Sequence, residues 1–277
     1  MGSPTILDTI LARRERDVAE ARAAVPPSEL EARLAEAPPA IDFIARLRRD
    51  APMAVIAEVK RASPSKGDIA PGMDAAAQAL RYARGGASAI SVLTEPTWFK
   101  GTLADMGAVR AAVDELGPAR PAILRKDFII DEYQLLEARV HGADAVLLIV
   151  AALDDARLRQ LYTAAARLGM QALVEVNSAD EMARAAELGA ALVGINNRDL
   201  RSFRVDLATT DRLASLAPPG ALLAALSGIS SRADVERFAA VGAAAVLVGE
   251  SLMVAPDPAE KIRELRGVSA AAPGASP

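Results

Sequence analysis

Gly142-Ala-Asp-Ala-Val-Leu-Leu-Ile149 is the stretch that decides the fold of this chain. It joins a glycine suited to ending a helix, a small residue, and an apolar run of strand length. The plan recurs as Gly86-Ala-Ser-Ala-Ile-Ser-Val-Leu93, Gly189-Ala-Ala-Leu-Val-Gly-Ile-Asn196 and Gly242-Ala-Ala-Ala-Val-Leu-Val-Gly249. The intervals between these glycines are 56, 47 and 53 residues. A single Gly-Ala-Ala-Val connection is common in α/β chains. Four in register are a repeat, and each interval holds two strand–helix units.

Working outward, apolar runs read as strands over 54–60, 88–93, 121–126, 144–149, 171–176, 191–196, 221–227 and 244–248. Helical periodicity lies between them, near 74–84, 103–116, 131–141, 154–168, 179–188, 206–216 and 231–241, with a last helix near 257–266. Strands alternating with helices of this length imply right-handed βαβ units and a parallel sheet. Eight strands with a two-unit period fit a closed (β/α)₈ TIM barrel better than an open doubly wound sheet. Before the first strand, residues 5–24 read as an amphipathic helix ended by Pro26-Pro27. Ser28-Glu-Leu-Glu31 has the form of a capping box that would open a second helix. Ile41, Phe43, Ile44 and Leu47 predict a third, running to Arg49. The expected organisation is therefore an N-terminal helical extension over 1–50, a barrel over 51–266, and a disordered Ala/Ser/Pro/Gly tail over 267–277. The extension reads chiefly as a cap that buries apolar surface.

Composition bounds the function. The formal net charge of −4 argues against a general nucleic-acid binder but leaves room for a local anion pocket. There is no cysteine, which rules out disulfide and thiolate chemistry and fits a reducing cytoplasm. His141 is the single histidine, so a multi-His metal site is excluded and a Ser-His-Asp triad is disfavoured. No apolar run is long enough for a membrane span, and the N-terminus lacks a secretory pattern.

The chemistry is expected at the C-terminal ends of the strands. Ala54-Val-Ile-Ala-Glu-Val-Lys-Arg-Ala-Ser-Pro-Ser-Lys-Gly67 starts as a buried strand and ends as a polar loop. Glu58 and Lys60, two residues apart, project to the same face. Charges inside such a strand are costly unless paired or used. Strand three ends in Lys126, strand five carries Glu175, and strand six ends at Asn196-Asn197-Arg198. Lys60, Lys126 and Glu175 then converge on one mouth, where lysines and carboxylates in a partly dry pocket can supply both an acid and a base. Ser227-Gly228-Ile229-Ser230 and Gly249-Glu250-Ser251 end strands seven and eight, the usual phosphate site of barrels. Arg61, Ser63 and Lys66 could add to that anion site.

Four segments resemble the indole-3-glycerol-phosphate synthase family. They are 57–67 (Ala-Glu-Val-Lys-Arg-Ala-Ser-Pro-Ser-Lys-Gly), 124–131 (Leu-Arg-Lys-Asp-Phe-Ile-Ile-Asp), 194–200 (Gly-Ile-Asn-Asn-Arg-Asp-Leu) and 247–253 (Leu-Val-Gly-Glu-Ser-Leu-Met). The resemblance runs from about residue 5 to residue 266. It implies ring closure, decarboxylation and dehydration of 1-(2-carboxyphenylamino)-1-deoxyribulose 5-phosphate, a step of tryptophan biosynthesis, without metal or organic cofactor. By the same resemblance Lys126 matches the general acid, Glu175 the carboxylate of the dehydration half, and Lys60 a lysine near the substrate carboxylate that is the alternative acid. Glu58 and Asn196 match orienting residues, and Phe99 and Phe128 the apolar wall around the anthranilate ring. Ser63, Gly228, Gly249 and Glu250 fall at phosphate-loop positions, with Arg61, Arg198 and Ser227 beside them as substrate-binding residues. The expected partner is a phosphorylated small molecule, with no nucleic acid and no membrane. The chain is expected to be a monomer, a weak dimer being the alternative.

Two positions depart from the pattern. The family reads Ala-Glu before Ser-Gly-Ile, where this chain has Ala225-Leu226, and Asn177 stands where His is commoner. The residues by themselves also permit an isomerase or a Schiff-base aldolase using Lys60 or Lys126. Leu226 further permits a non-catalytic relative that binds the same class of phosphate.

Overall fold

The computed structural model describes residues 4–267. Eight parallel strands close into a barrel, each paired with its sequence neighbours and the last with the first. They are β1 (Ala54–Val59), β2 (Ala89–Leu93), β3 (Ala122–Lys126), β4 (Ala145–Ile149), β5 (Gln171–Val176), β6 (Leu192–Asn196), β7 (Leu222–Leu226) and β8 (Ala245–Val248). Closure is made by Ala54 to Ala57 of β1 in register with Ala245 to Val248 of β8. The architecture is the expected (β/α)₈ barrel, and the repeat has a physical basis. Gly86, Gly142, Gly189 and Gly242 all take positive φ, between 75° and 92°. Each ends a helix in the left-handed region that a side chain would disfavour, and turns the chain into an even-numbered strand.

The helices are α1 (Ile6–Ala24), α2 (Pro27–Arg33), α3 (Phe43–Arg49), α4 (Ala75–Arg84), α5 (Leu103–Asp114), α6 (Glu132–Val140), α7 (Asp155–Arg167), α8 (Ala179–Leu188), α9 (Ala208–Leu213), α10 (Arg232–Ala240), α11 (Glu250–Met253) and α12 (Pro258–Arg266). The side chains of Thr102, Asp131, Ser178 and Ser231 cap α5, α6, α8 and α10. The caps of α6, α8 and α10 lie within five residues of the ends of β3, β5 and β7, which keeps those loops of the mouth short, whereas Thr102 lies nine residues past β2.

One expected cap is not formed. The N-cap of α2 is Pro26, without a side-chain bond, and Pro27 occupies the first turn. Proline at the first helical position needs no N–H partner, so the helix starts before Ser28 can cap it. The short helix expected after Gly249 is α11, whereas the hairpin that pairs Ala62–Ser63 with Gly67–Asp68 has no counterpart in the sequence reading.

Apolar side chains form two main layers. One lies between the sheet and its helices. The other fills the barrel and takes in residues of the N-terminal extension. Phe43 and Leu47 of α3 are fully buried there, with Ala54, Ala89, Ala122 and Ala145 at the starts of their strands. Alanine at those places makes room for α3 to close the bottom of the barrel. Truncating Leu47 to alanine would cost about 2–5 kcal/mol. Leu7 of α1 instead lies near the mouth, lining a small cavity with Ile149 and Glu175. The extension is thus a cap at one end and a neighbour of the site at the other. Residues 268–277, most of the expected tail, lie outside the described residues, and Gly267 is the left-handed C-cap of α12.

Candidate active site

Strand alternation decides what the mouth contains. The inward series of the odd strands end in Glu58, Lys126, Glu175 and Leu226, and those of the even strands in Leu93, Ile149, Asn196 and Leu247. The charges therefore come from β1, β3 and β5, while β2 and β4, almost blank in polar residues, provide an apolar floor.

Above this layer lies a cleft lined by Glu58, Lys60, Lys126, Glu175, Asn196 and Arg198. Phe99, Phe128, Leu147, Ile149, Leu200 and Phe203 form its aromatic and aliphatic side. The Phe99 and Phe128 rings are 6.1 Å apart and tilted by 41°. A second lobe shares Glu58, Lys60, Lys126 and Arg198 and continues over Leu226, Ser227, Gly228, Gly249 and Ser251. One cleft thus offers an apolar slot, a charged centre and a glycine-rich end.

In the centre, Lys60 Nζ lies 2.8 Å from Glu58 Oε1. Burial pushes the Glu58 carboxyl up, but the Lys60 and Lys126 ammonium groups outweigh it and hold the carboxyl below its ordinary value. Gly249 leaves room for this pair, because a β-carbon there would stand 2.4 Å from Glu58 Oε1 and 3.1 Å from Lys60 Nζ and displace one of them. Opposite, Lys126 Nζ is 3.6 Å from Glu175 Oε2. Asn196 donates to Glu175 Oε1 at 2.8 Å, and Asn177 donates to the Asn196 carbonyl at 2.6 Å. Asn196 Oδ1 also accepts the Arg198 N–H at 2.9 Å. Glu175 is thus fixed through one oxygen, while the other faces Lys126 without a hydrogen bond from the described residues.

At the glycine-rich end, Ser227 and Gly228 both have positive φ, 66° and 82°. Only part of this turn is open to a ligand, because the Ser230 N–H is taken by Asp234 at 2.9 Å. Glu250, carried to a phosphate position by resemblance, brings a carboxylate that Lys66 neutralises at 3.2 Å.

Arg61 is the expected site residue that the structure leaves out of the cleft. Its guanidinium forms two 2.6 Å bonds to Asp105 and also donates to the carbonyls of Met73 and Lys100. These bonds tie the loop after β1 to the first turn of α5 and the segment before it. Ser63, Ser65 and Pro64 of that loop do face the cleft. Sequence reasoning missed Leu200 and Phe203, which lie in a loop without periodicity. It also missed Leu93, Leu147 and Ile149, which strand alternation from the repeat would have found.

The family model described as "Indole-3-glycerol phosphate synthase" matches residues 7–265. The chain belongs to the indole-3-glycerol phosphate synthase family. It is 50% identical over 267 residues to a protein of that name from Roseiflexus sp. (strain RS-1), covering 96% of this chain and 99% of the relative. It is 55% identical over 269 residues to a multifunctional tryptophan biosynthesis protein of Schizosaccharomyces pombe, covering 96% of this chain. The chain spans about a third of the length of that relative, 35%. Among solved structures, 3-hexulose-6-phosphate synthase from Salmonella typhimurium superposes with a TM-score of 0.59 at 17% identity, covering 78% of this chain and 97% of that one. Such a likeness is of the barrel fold alone. Glu58 of β1, Lys126 of β3, Glu175 of β5 and Asn196 of β6, the strand residues the resemblance singles out, all line the cleft. No helix of the described residues is long and apolar enough to cross a membrane.

Proposed function

We propose that this chain closes the indole pyrrole ring of 1-(2-carboxyphenylamino)-1-deoxyribulose 5-phosphate, with loss of CO₂ and water, to give indole-3-glycerol phosphate. The observation that carries this reading is the placement of two lysine–carboxylate pairs between an apolar slot and a glycine-rich end. The substrate has the same three parts, an aromatic ring, a reacting carbonyl and a phosphate.

The anthranilate ring lies between Phe99 and Phe128, over Leu147 and Ile149, and the phosphate reaches Ser227, Gly228 and Gly249 with Lys66 near it. The ketose carbonyl then sits among the charges. Lys126 donates a proton to the carbonyl oxygen as the ring carbon bearing the carboxylate attacks the carbonyl carbon. The new C–C bond leaves an iminium. Breaking the bond to the carboxylate returns its electron pair to the ring and releases CO₂. Lys60 lies where it can hold that carboxylate before it leaves, and Glu58 keeps the Lys60 ammonium in place. In the last half Glu175 takes a proton from the carbon next to nitrogen, and the hydroxyl leaves as water with a proton from a lysine. Asn196 holds Glu175 in the geometry this needs. Arg198 belongs to the wall beside the charged centre.

The chain is read as a cytoplasmic monomer that takes a phosphorylated small molecule. The synthetic aminodeoxyribulose phosphate, followed by indole absorbance, tests the activity. Product formation that needs Lys126 supports it, and ligand binding without turnover overturns it. A non-catalytic relative is the second reading, favoured by Leu226 at the end of β7. Borohydride trapping separates both from a Schiff-base aldolase, which alone would give a covalent adduct at a lysine.

A further inference from the structure

Glu95 is entirely buried at the start of the turn between β2 and α5. Among the described residues its carboxylate oxygens bond to backbone alone. Oε1 accepts the Thr97 N–H at 2.8 Å, and Oε2 accepts those of Trp98 at 2.7 Å and Phe99 at 3.0 Å. Its own carbonyl accepts the Gly101 N–H at 3.0 Å, closing the turn. Gly101 admits no side chain, since a β-carbon would lie 1.9 Å from the Leu93 carbonyl oxygen. The turn is thus wound around one carboxylate and pressed onto the end of β2.

Glu95 makes no direct ion pair among the described residues, Arg14 acting on it only at longer range, so its hydrogen bonds must offset most of the cost of burial. Three N–H groups aimed at two oxygens do so, and an amide could not reproduce them, because its NH₂ would face a donor. Glu95 does not line the cleft, so it does not touch the substrate. What it holds is Phe99, whose N–H it binds and whose ring faces Phe128 in the apolar slot.

We propose that Glu95 is a positioning residue for the substrate's aromatic ring, acting by fixing the Phe99 backbone so that the slot between Phe99 and Phe128 is formed before substrate arrives. The inference rests on the functional reading above, which places the anthranilate ring in that slot. It assigns to Glu95 an effect on ring affinity and none on proton transfer.

Trp98 is the single tryptophan of the chain and lies within the turn, so its emission reports the turn without any turnover. In Glu95→Gln, acrylamide quenching of Trp98 is expected to rise above wild type. KM should rise about tenfold, the scale of one lost buried acceptor, with kcat within about twofold. In a Phe99→Ala background the same substitution should leave KM unchanged, because its effect passes through Phe99. Should Glu95→Gln not fold, Glu95→Asp carries the same readouts, keeping the charge but withdrawing the oxygens by one methylene. Unchanged quenching, a loss confined to kcat, or an equal KM effect in the Phe99→Ala background overturns the inference. A wild-type chain that makes no indole product counts against the function and leaves the quenching to judge the turn.

Discussion

Leu226 lies against Gly194: its Cδ1 is 2.8 Å from where a β-carbon on Gly194 would stand. Gly194 is the inward position of β6 one layer below Asn196, and Leu173 crowds the same point at 3.1 Å. The leucine therefore leans down over the adjacent strand β6 into space that glycine leaves open, rather than up into the cleft alone. Three odd strands end their inward series in a charge and the fourth in this leucine.

Leu226→Glu is expected to leave kcat unchanged or raise it. The new carboxylate would enter the lobe that already holds Lys60 and Lys126, which can pair with it. Burial of the added charge should lower stability by about 0.5–3 kcal/mol. Steady-state turnover and a thermal melt on the same preparation separate the two effects. A fall in kcat of more than about tenfold, or ΔΔG‡ above about 1.4 kcal/mol, would mean the cleft has repacked around leucine.

Lys126→Ala should abolish ring closure, lowering kcat by about 10²- to 10⁴-fold, the usual worth of a positioned general acid. The fold should survive, because Lys126 reaches into the cleft instead of filling the core. Removing it leaves Glu175 Oε2 without its only near cation among the described residues, so a loss of about 1–3 kcal/mol in stability is expected. Circular dichroism and single-turnover kinetics check both parts. Substantial residual turnover in the folded variant removes Lys126 from the acid role.

The barrel was legible because its signals are local. A left-handed glycine ahead of each even strand marks the repeat, and alternation within a strand puts Glu58 and Lys60, or Leu124 and Lys126, on one face. What stayed hidden depends on partners distant in the chain. Arg61 reads as an anion binder until Asp105, 44 residues on, is seen to take both of its terminal nitrogens. Glu250 reads as part of a phosphate turn until its own charge is seen to need Lys66. Ser28 has the right spacing for a cap, yet Pro27 starts the helix ahead of it. Phe203 lies in an irregular loop at φ 58°, which no periodicity could place.

The Glu58–Lys60 pair sets an acid dependence. The Glu58 carboxyl is held below its ordinary value of 4.5, its burial being outweighed by Lys60 and Lys126. A carboxyl depressed on folding adds stability that is present above its unfolded value and is lost as pH falls through its folded value. Glu58→Gln should therefore be less stable than wild type at pH 7, with the gap closing as pH falls below 4.5. Melting temperatures across that range check it. A gap that stays constant down to the acid limit would mean that the ammonium groups do not stabilise the Glu58 charge.

Arg61 and Asp105 are expected to act as one unit. Both side chains are mostly buried, at 19% and 16% exposure, and the bidentate contact is one that lysine cannot copy. Arg61→Lys should raise KM by loosening the loop that carries Ser63 and Lys66, and Asp105→Asn should do the same. The double variant should cost little more than either alone, with a coupling of about 0.5–3 kcal/mol. A substrate-binding Arg61 predicts the contrary: a large KM effect for Arg61→Lys, little for Asp105→Asn, and additive losses. The four KM values of that cycle, measured at one salt concentration, assign the arginine either to the loop or to the ligand.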